Sequence, residues 1–414
     1  MRASSANLFF GGSGLGSIGE VTSLRTIIVV GGSLAGLRAS ETLRRGGFDG
    51  RLILIGRENH LPYDRPPLSK EVLAGRRAPE TIGLCTPEAW EALALDARLG
   101  RRAVRLDLAR RIVGLEGGEE LAFDGLLIAS GATPRTLPGA SALEGIHVLR
   151  SLDDCLSLRS ELERGPRVVV VGGGFIGAEV VATCRARGLA VTLLEVLAAP
   201  LIRGIGPELG ALVAQVHEDH GVDVRCGVGV AGFLGTRRVE GVRLQDGSVV
   251  PAEVVVIGVG VVPETAWLEG SGLSLADGVL CDAACATSAE NVVAAGDVAR
   301  WAHPAFPKPI RLEHWTNAVE QGVAAAERLL AGPKAAKPFA PVPYVWSDQY
   351  DLKIQIAGLP SPDCSLRIVD GTLEERRFVA LFERGTELVA AVGFSRARKL
   401  MAYRAQLAER WGRP

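Results

Sequence analysis

The stretch RVVVVGGGFIG, from Arg167 to Gly177, decides the fold, because four consecutive valines run into a glycine-rich turn. The chain carries a related stretch, TIIVVGGSLAG, from Thr26 to Gly36. An apolar strand that ends in a G-x-G-x-x-G turn is typical of dinucleotide binding, because glycine lets backbone amides approach a pyrophosphate at a helix N-terminus. The later turn keeps all three glycines, whereas the earlier one has Ser33 in the middle. Two such turns predict two dinucleotide sites in one chain.

The resemblance between the two halves extends beyond the turns. The stretch LEGGEELAFDGLLIASGATP, from Leu115 to Pro134, matches LQDGSVVPAEVVVIGVGVVP, from Leu244 to Pro263, at one constant spacing. Each half therefore predicts a strand–turn–helix, a second strand, a hairpin and a buried strand that stops at Gly-x-x-Pro. The first half contains an additional segment, YDRPPLSKEVLAG, from Tyr63 to Gly75. Because this segment has no counterpart in the second half, we expect it to contribute residues to the functional site rather than to the framework of the fold.

Composition narrows the class of protein. The 414 residues include 47% hydrophobic and 22% charged residues, with a net charge of −1. A nucleic-acid-binding protein would show a basic excess, and a membrane span needs an apolar run of about 18 residues, which the sequence lacks. The seven cysteines are scattered without a CxxC pair, which predicts reduced thiols and no metal site. We expect a cytoplasmic protein that binds neither nucleic acid nor membrane.

These patterns predict an α/β protein with two Rossmann-like dinucleotide-binding domains and a small C-terminal α+β domain. The first domain is predicted over residues 25–140 and 263–335, because a further apolar strand and a helix follow Pro263. The second domain is predicted over residues 141–262 and the C-terminal domain over 336–414, after a linker rich in Pro, Ala and Lys. Residues 1–24, rich in Gly and Ser, are predicted to form a disordered extension.

Six motifs occur in a characteristic order: GGSLAGLRA, PYDRPPLSKEVLAG, LLIASGATPR, GGGFIGAE, AAGDVAR and WSDQYDLKIQIAG. In this combination the chain resembles the putidaredoxin reductase-like family of FAD-dependent, NADH-using ferredoxin reductases, which serve cytochrome P450 and aromatic-ring dioxygenase systems. The resemblance implies a pyridine nucleotide–disulfide-reductase-like fold with FAD in the first domain and NADH in the second. It also implies that electrons pass from NADH through FAD to a [2Fe–2S] ferredoxin.

The resemblance assigns the catalytic candidates to Lys70 and Glu179. Arg65 and Lys70 lie in the DRPPLSK motif, where the family places the arginine on FAD and the lysine beside the flavin ring. A cation there would stabilise the reduced, anionic flavin. Glu179 matches the family glutamate that faces the nicotinamide, and we predict a Lys70–Glu179 contact. The alternative without a catalytic role is that Lys70 is a solvated surface lysine and that Glu179 is an acid near the start of a helix, where the helix dipole favours a negative charge.

The resemblance also assigns residues to the two nucleotides. Glu195, which ends VTLLE, is expected to bind the adenosine ribose of NADH and to repel the 2′-phosphate of NADPH. Glu58 is expected to reach the FAD ribose by a small shift, because Arg57 stands directly after Gly56. The other FAD candidates are Gly31, Ser33, Ala35, Gly36, Val104, Arg150, Asp297 and Trp315. The other NAD candidates are Gly172, Gly174, Ile176, Gly177 and Gly260.

Two alternative functions remain open from the sequence. An NADH oxidase or disulfide reductase of the same fold needs a reactive cysteine beside the flavin, but residues 61–75 contain none. An apoptosis-inducing-factor-like flavoprotein would use NADH to change conformation rather than to turn over.

Three basic residues and two histidines are predicted to lie at the surface. Arg65, Lys308 and Arg311 are expected to form a basic rim that attracts an acidic ferredoxin, with scattered surface charges as the alternative. His217 and His220 have no third metal ligand, which favours solvent-facing histidines.

Overall fold

A computed structural model describes residues 24–411. The predicted N-terminal extension lies outside the described residues except for Leu24, and residues 412–414 lie outside them as well. Within the described range, no helix has both the length and the hydropathy that a membrane crossing requires.

The first part of the chain forms a strand–helix–strand unit followed by hairpins. Helix α1 follows the first glycine turn, as predicted, and it ends where Gly46 and Gly47 interrupt the amphipathic pattern. The elements are β1 (Thr26–Val30), α1 (Leu34–Arg45), β2 (Arg51–Gly56), α2 (Pro87–Ala92), β3 (Asp96–Leu99), β4 (Ala103–Asp107), β5 (Ile112–Leu115), β6 (Glu120–Ala122), β7 (Gly125–Ile128) and β8 (Ala132–Pro134).

The middle of the chain repeats this plan around the second glycine turn. Its elements are β9 (Ile146–His147), α3 (Leu152–Leu162), β10 (Val168–Val171), α4 (Phe175–Ala186), β11 (Val191–Glu195), α5 (Ile202–Asp219), β12 (Asp223–Cys226), β13 (Val230–Leu234), β14 (Gly241–Leu244), β15 (Val249–Pro251), β16 (Val254–Ile257) and β17 (Val261–Pro263).

The last third returns to the first unit and then forms a separate antiparallel sheet. Its elements are β18 (Val279–Cys281), β19 (Val292–Ala294), β20 (Ala299–Trp301), α6 (Trp315–Ala331), β21 (Tyr344–Gln349), β22 (Leu352–Gly358), β23 (Ser365–Thr372), β24 (Arg377–Arg384), β25 (Glu387–Phe394) and α7 (Ala397–Trp411).

Three five-stranded sheets organise the molecule. The first has the order β19-β7-β1-β2-β3 and the second β12-β11-β10-β16-β9, and both are parallel. The third is antiparallel, with the order β21-β22-β25-β24-β23. Because β19 pairs with β7, the first sheet is completed by residues that follow the whole second unit. Strands β1 and β10 are internal, where the strand order reverses, and their carboxyl ends are the usual place for ligands.

Both glycine turns pass closely against a neighbouring strand end. Gly31 has φ +133°, and a Cβ there would lie 2.0 Å from the Ala129 carbonyl oxygen. Gly172 has φ +102°, and a Cβ there would lie 2.4 Å from the Gly258 oxygen. The first glycine of each motif is therefore required by the backbone itself, in addition to any ligand.

The C-terminal sheet covers one helix of the second unit. Helix α5 buries Ile205, Leu209 and Val213 in a cluster that includes Ile356 and Phe378 of the sheet. The first strand of that sheet, β21, also packs on α4 and α6. This packing brings all three units to the same place, at the carboxyl ends of β1 and β10.

Candidate functional site

The candidate site is a cleft in two adjoining parts. The first, about 730 Å³, surrounds the first glycine turn and the end of β2. The second, about 1170 Å³, lies between that turn, the Tyr63–Gly75 segment, the start of α4 and strand β21. Ser33, Arg65, Gly131 and Arg150 line both parts, so the two form one elongated site.

Lys70 and Glu179 form an ion pair in the second part of the cleft. The Lys70 Nζ lies 2.7 Å from Glu179 Oε2, and the two side chains are only 12% and 6% exposed. The Ser69 hydroxyl donates to the same oxygen at 2.5 Å, and Ser347 of β21 donates to Oε1 at 2.9 Å. The predicted Lys70–Glu179 contact is confirmed, and the carboxylate is held from two further sides.

The Tyr63–Gly75 segment is anchored so that the lysine reaches α4. Pro66 and Pro67 begin a short 3-10 turn, and Lys70 Nζ donates to the Pro66 carbonyl at 3.0 Å. Thr183 of α4 donates to the Ser69 carbonyl at 2.7 Å. The prolines restrict the backbone of the turn, so the ammonium group is placed with little flexibility left.

Arg65 lies inside the cleft wall rather than on a rim. Its guanidinium pairs with Glu58 at 2.5 Å and donates to the Arg150 carbonyl at 2.5 Å. The Tyr63 hydroxyl donates to the other Glu58 oxygen. Burial alone would raise the pKa of Glu58, but Arg65 and Tyr63 outweigh it and hold that pKa below its ordinary value. Glu58 lines the cleft, as expected, but both its oxygens already hold neighbouring side chains.

Arg150 and Asp297 form a second ion pair, next to Arg65. Arg150 Nη2 lies 2.7 Å from Asp297 Oδ2, and both residues line the second part of the cleft. Trp315, at the start of α6, lines it as well and donates from Nε1 to Asp64 at 2.8 Å. Arg150 and Trp315 are therefore cleft residues rather than plain surface or core residues.

Val104 stays a predicted FAD residue, but its side chain does not turn into the cleft. Val104 is 47% exposed and does not line the cleft, whereas the preceding residue, Ala103, does. The reason is strand alternation on β4, which turns successive side chains to opposite faces, together with a register shift between Ala103 and Arg105.

Both nucleotide turns end in helices whose N-termini are open. Neither Ser33 before α1 nor Gly174 before α4 makes a side-chain cap, and neither helix has an acid in its first turn. The first amides of these helices are therefore available to an anion. A Cβ at Gly174 would meet only the Gly258 oxygen, at 4.0 Å, so this glycine faces open space. These features fit a pyrophosphate at each turn.

The remaining NAD candidates surround the second turn. Glu195 is 8% exposed and accepts from the backbone amides of Gly173 and Leu197 at 2.6 and 2.8 Å. Ile176 is 41% exposed and lines the second part of the cleft. Gly260 has φ +94° and lies outside both cleft linings, with its carbonyl accepting from the Arg135 amide.

Sequence reasoning missed three cleft residues, Ser69, His314 and Trp346, and the buried Ser347 behind them. Ser69 and Ser347 bind Glu179, and Trp346 lies in an edge-on arrangement to Trp315 with ring centres 6.1 Å apart. His314 precedes Trp315, and burial lowers its pKa to about 4, which keeps the ring neutral. Within the described chain its Nδ1 is shielded and has no hydrogen-bond partner. Ser347 and Trp346 belong to the quoted WSDQ motif, which is the sequence signal that could have identified these two residues.

Two surface predictions are corrected. Arg65 pairs with Glu58, and Arg311 pairs with Asp277 and Glu313 while only 11% exposed, so of the three rim residues only Lys308 is exposed. His217 is fully buried, with Nδ1 2.9 Å from the Tyr350 hydroxyl, whereas His220 is exposed, as predicted, and stacks on the same ring. The C-terminal sheet covers His217, which a helix pattern alone does not reveal.

The cysteines do not line the cleft. All seven are free, and none belongs to either cleft lining. Burial raises the pKa of Cys85, which follows the DRPPLSK segment, and therefore keeps that thiol protonated and weakly nucleophilic. Among residues 24–411, no cluster of three metal-ligating side chains is present.

Comparison with known proteins gives family matches along almost the whole chain. Residues 25–322 match the pyridine nucleotide-disulphide oxidoreductase family, and residues 344–412 match the reductase C-terminal family. The chain is 36% identical to the 5,5'-dehydrodivanillate O-demethylase ferredoxin reductase subunit of a Sphingobium species, over 91% of this chain and 92% of that protein. It is 40% identical to the ferredoxin–NAD⁺ reductase component of the Paraburkholderia xenovorans biphenyl dioxygenase system, over 80% and 81%.

A solved structure supports the same grouping. The crystal structure of the covalent putidaredoxin reductase–putidaredoxin complex is similar to this chain, with a TM-score of 0.89 and 31% identity. The similarity covers 93% of each chain.

Proposed function

The chain belongs to the pyridine nucleotide-disulphide oxidoreductase family, and we propose that it is an FAD-dependent NADH:ferredoxin reductase. In this proposal it passes electrons from NADH through FAD to a [2Fe–2S] ferredoxin that serves a P450 or a ring-hydroxylating dioxygenase. The single observation that carries the proposal is the buried Lys70–Glu179 pair, which joins the unique DRPPLSK segment to helix α4 of the second nucleotide motif. Support for the ferredoxin comes from relatives that are named as ferredoxin reductases of oxygenase systems.

The two glycine turns would hold the two nucleotides. The open N-terminus of α1, with Arg65 and Arg150 beside it, would hold the pyrophosphate of FAD, and the open N-terminus of α4 that of NADH. Asp297 would bind the ribityl chain, and Trp315 would pack against the flavin. Glu195, already held by two backbone amides, would accept from the ribose of NADH and repel a 2′-phosphate.

Bound FAD supplies a ring that takes a hydride from NADH and releases electrons one at a time. The chain's own residues would organise that exchange. Lys70 places a fixed positive charge where the reduced ring gains negative charge, in a site that is largely closed to water. Glu179 holds the ammonium group in place and presents a carboxylate toward the nicotinamide side. The neutral ring of His314 adds a polar group without adding charge.

A disulfide reductase or NADH oxidase is disfavoured by the cleft lining, which contains no cysteine. Likeness to structures such as the Bacillus anthracis CoADR-RHD, at 21% identity, concerns the fold alone. Cytoplasmic location is part of the proposal, supported by seven cysteines that form no disulfide.

The test is steady-state turnover with a [2Fe–2S] ferredoxin and cytochrome c as the final acceptor. The proposal predicts rapid NADH oxidation that requires ferredoxin, with NADH preferred over NADPH. Slow NADH oxidation that ferredoxin does not accelerate would favour the conformational, apoptosis-inducing-factor-like alternative.

A further inference from the structure

Ser347 and Gln349 alternate with half-buried positions on β21 and face inward, where both are fully buried. They belong to the WSDQ motif, to which the proposed function gives no role. Burying a serine and a glutamine is costly unless their polar groups are satisfied. The hydrogen bonds of these two residues therefore indicate what the motif does.

The bonds form a directed chain that ends on Glu179. Gln349 Nε2 donates to Ser347 Oγ at 3.1 Å, and Ser347 Oγ donates to Glu179 Oε1 at 2.9 Å. A serine hydroxyl that accepts one bond and donates another is fixed in rotation. Because Ser69 and Lys70 occupy Oε2, only the Ser347 bond holds Oε1 among the contacts of the described residues.

His217 of α5 lies at the far end of this chain. Its Nδ1 is 2.9 Å from the Tyr350 hydroxyl, and burial lowers its pKa to about 4, which keeps the ring neutral. The neighbouring Gln349 side chain acts in the opposite direction on that pKa. Gln349 Oε1 and His217 Nε2 are both shielded, and neither has a hydrogen-bond partner within the described residues.

We propose that Ser347, oriented by Gln349, is a positioning residue that fixes the carboxylate of Glu179, so that the C-terminal domain sets the geometry of the Lys70–Glu179 pair. This inference rests on the proposed function, because the effect it predicts is on flavin reduction by NADH. Neither Ser347 nor Gln349 needs to touch either nucleotide. Both act through Glu179.

The test is single-turnover reduction of the FAD-loaded protein by NADH, followed in a stopped-flow instrument. Loss of a hydrogen bond to a buried charged group predicts that Ser347→Ala is reduced about tenfold more slowly. Ser347→Thr keeps the hydroxyl and should recover most of the rate. Gln349→Leu should slow reduction to a smaller extent, because Ser347 keeps its hydroxyl but loses its orientation. Asp348→Asn, on the other face of the same strand and paired with Lys353, is the matched control and should behave as wild type.

A double-mutant cycle separates positioning from general damage. In a Glu179→Gln background, Ser347→Ala should cause no further loss, and reoxidation of the reduced protein by ferricyanide should be unchanged in every variant. The inference is overturned if Ser347→Ala is reduced as fast as wild type, if its loss is the same in the Glu179→Gln background, or if Ser347→Thr fails to restore the rate. Should Ser347→Ala not retain FAD, Gln349→Leu and its cycle with Glu179→Gln decide the same question. Failure of wild type itself to be reduced would instead overturn the proposed function.

Discussion

Replacement of Lys70 by methionine should lower the free energy of unfolding of the protein and should also slow the reduction of the flavin by NADH. Lys70 donates to Glu179 at 2.7 Å and to the Pro66 carbonyl at 3.0 Å, in a pair that is almost closed to solvent. Removing one partner of a buried ion pair costs about 3–5 kcal/mol, because the other charge remains buried. Ser69 and Ser347 still bind Glu179, so we expect a loss of roughly 2–3 kcal/mol.

The kinetic effect of the same change follows from the lost positive charge. A preorganised group aimed at developing charge is worth about 10²–10³ in rate, so reduction by NADH should slow by that factor. The assays are thermal unfolding at saturating FAD and single-turnover reduction by NADH. The double variant Lys70→Met/Glu179→Leu removes both charges and should recover most of the stability but none of the rate.

Lys353→Met provides the matched control. Lys353 pairs with Asp348 at the surface, where the side chains are 46% and 36% exposed, and such pairs contribute about 0–1 kcal/mol. The reasoning would be refuted if Lys70→Met unfolded at the same temperature as Lys353→Met, or if it were reduced by NADH as fast as wild type.

Three further predictions concern the nucleotide turn, coenzyme choice and acid stability. Gly174→Ala points a methyl group into open space, so it should raise the KM for NADH about tenfold without changing the unfolding temperature. Gly177→Ala should lower the unfolding temperature, because its Cβ would lie 2.0 Å from the Gly172 oxygen. Equal unfolding temperatures for the two variants would contradict this prediction. Glu195→Gln should raise kcat/KM for NADPH relative to NADH about tenfold, measured in parallel, and an unchanged ratio would argue against a role in discrimination. Burial lowers the pKa of His217 from 6.5 in the unfolded chain to about 4 in the folded protein. Because the unfolded chain is protonated first as the pH falls, the free energy of unfolding should decrease between pH 6.5 and pH 4, by roughly 3 kcal/mol. His217→Gln should lose less stability between pH 7 and pH 4 in denaturant titrations, and a loss equal to that of wild type would show that this histidine does not contribute.

The sequence predicted those parts of the fold that depend on local patterns of apolar residues and glycines. The bounds of α1 and the two buried strands β1 and β10 follow from runs of apolar residues that end in glycine. The Lys70–Glu179 contact was predicted from the resemblance of the DRPPLSK and GGGFIGAE motifs to the family, whereas the duplication alone marked only the DRPPLSK segment as one without a counterpart.

The parts that were missed depend on contacts between distant segments. Ser347 reaches Glu179 across 168 positions, and nothing local in WSDQ says which strand face turns inward. The side chains that hold Glu58 were not predicted either, because Tyr63 and Arg65, a few residues later, fold back and donate to its two oxygens. His217 looked solvent-facing because the helix pattern does not show that a C-terminal sheet covers α5.

The account depends most on the claim that one polypeptide holds FAD and NADH close enough for direct reduction. The decisive measurement is the visible flavin absorbance of the purified protein during anaerobic titration with NADH. We predict a yellow protein that loses its flavin absorbance with about one NADH per bound FAD. A preparation that neither binds FAD nor loses flavin absorbance on addition of NADH would contradict the account.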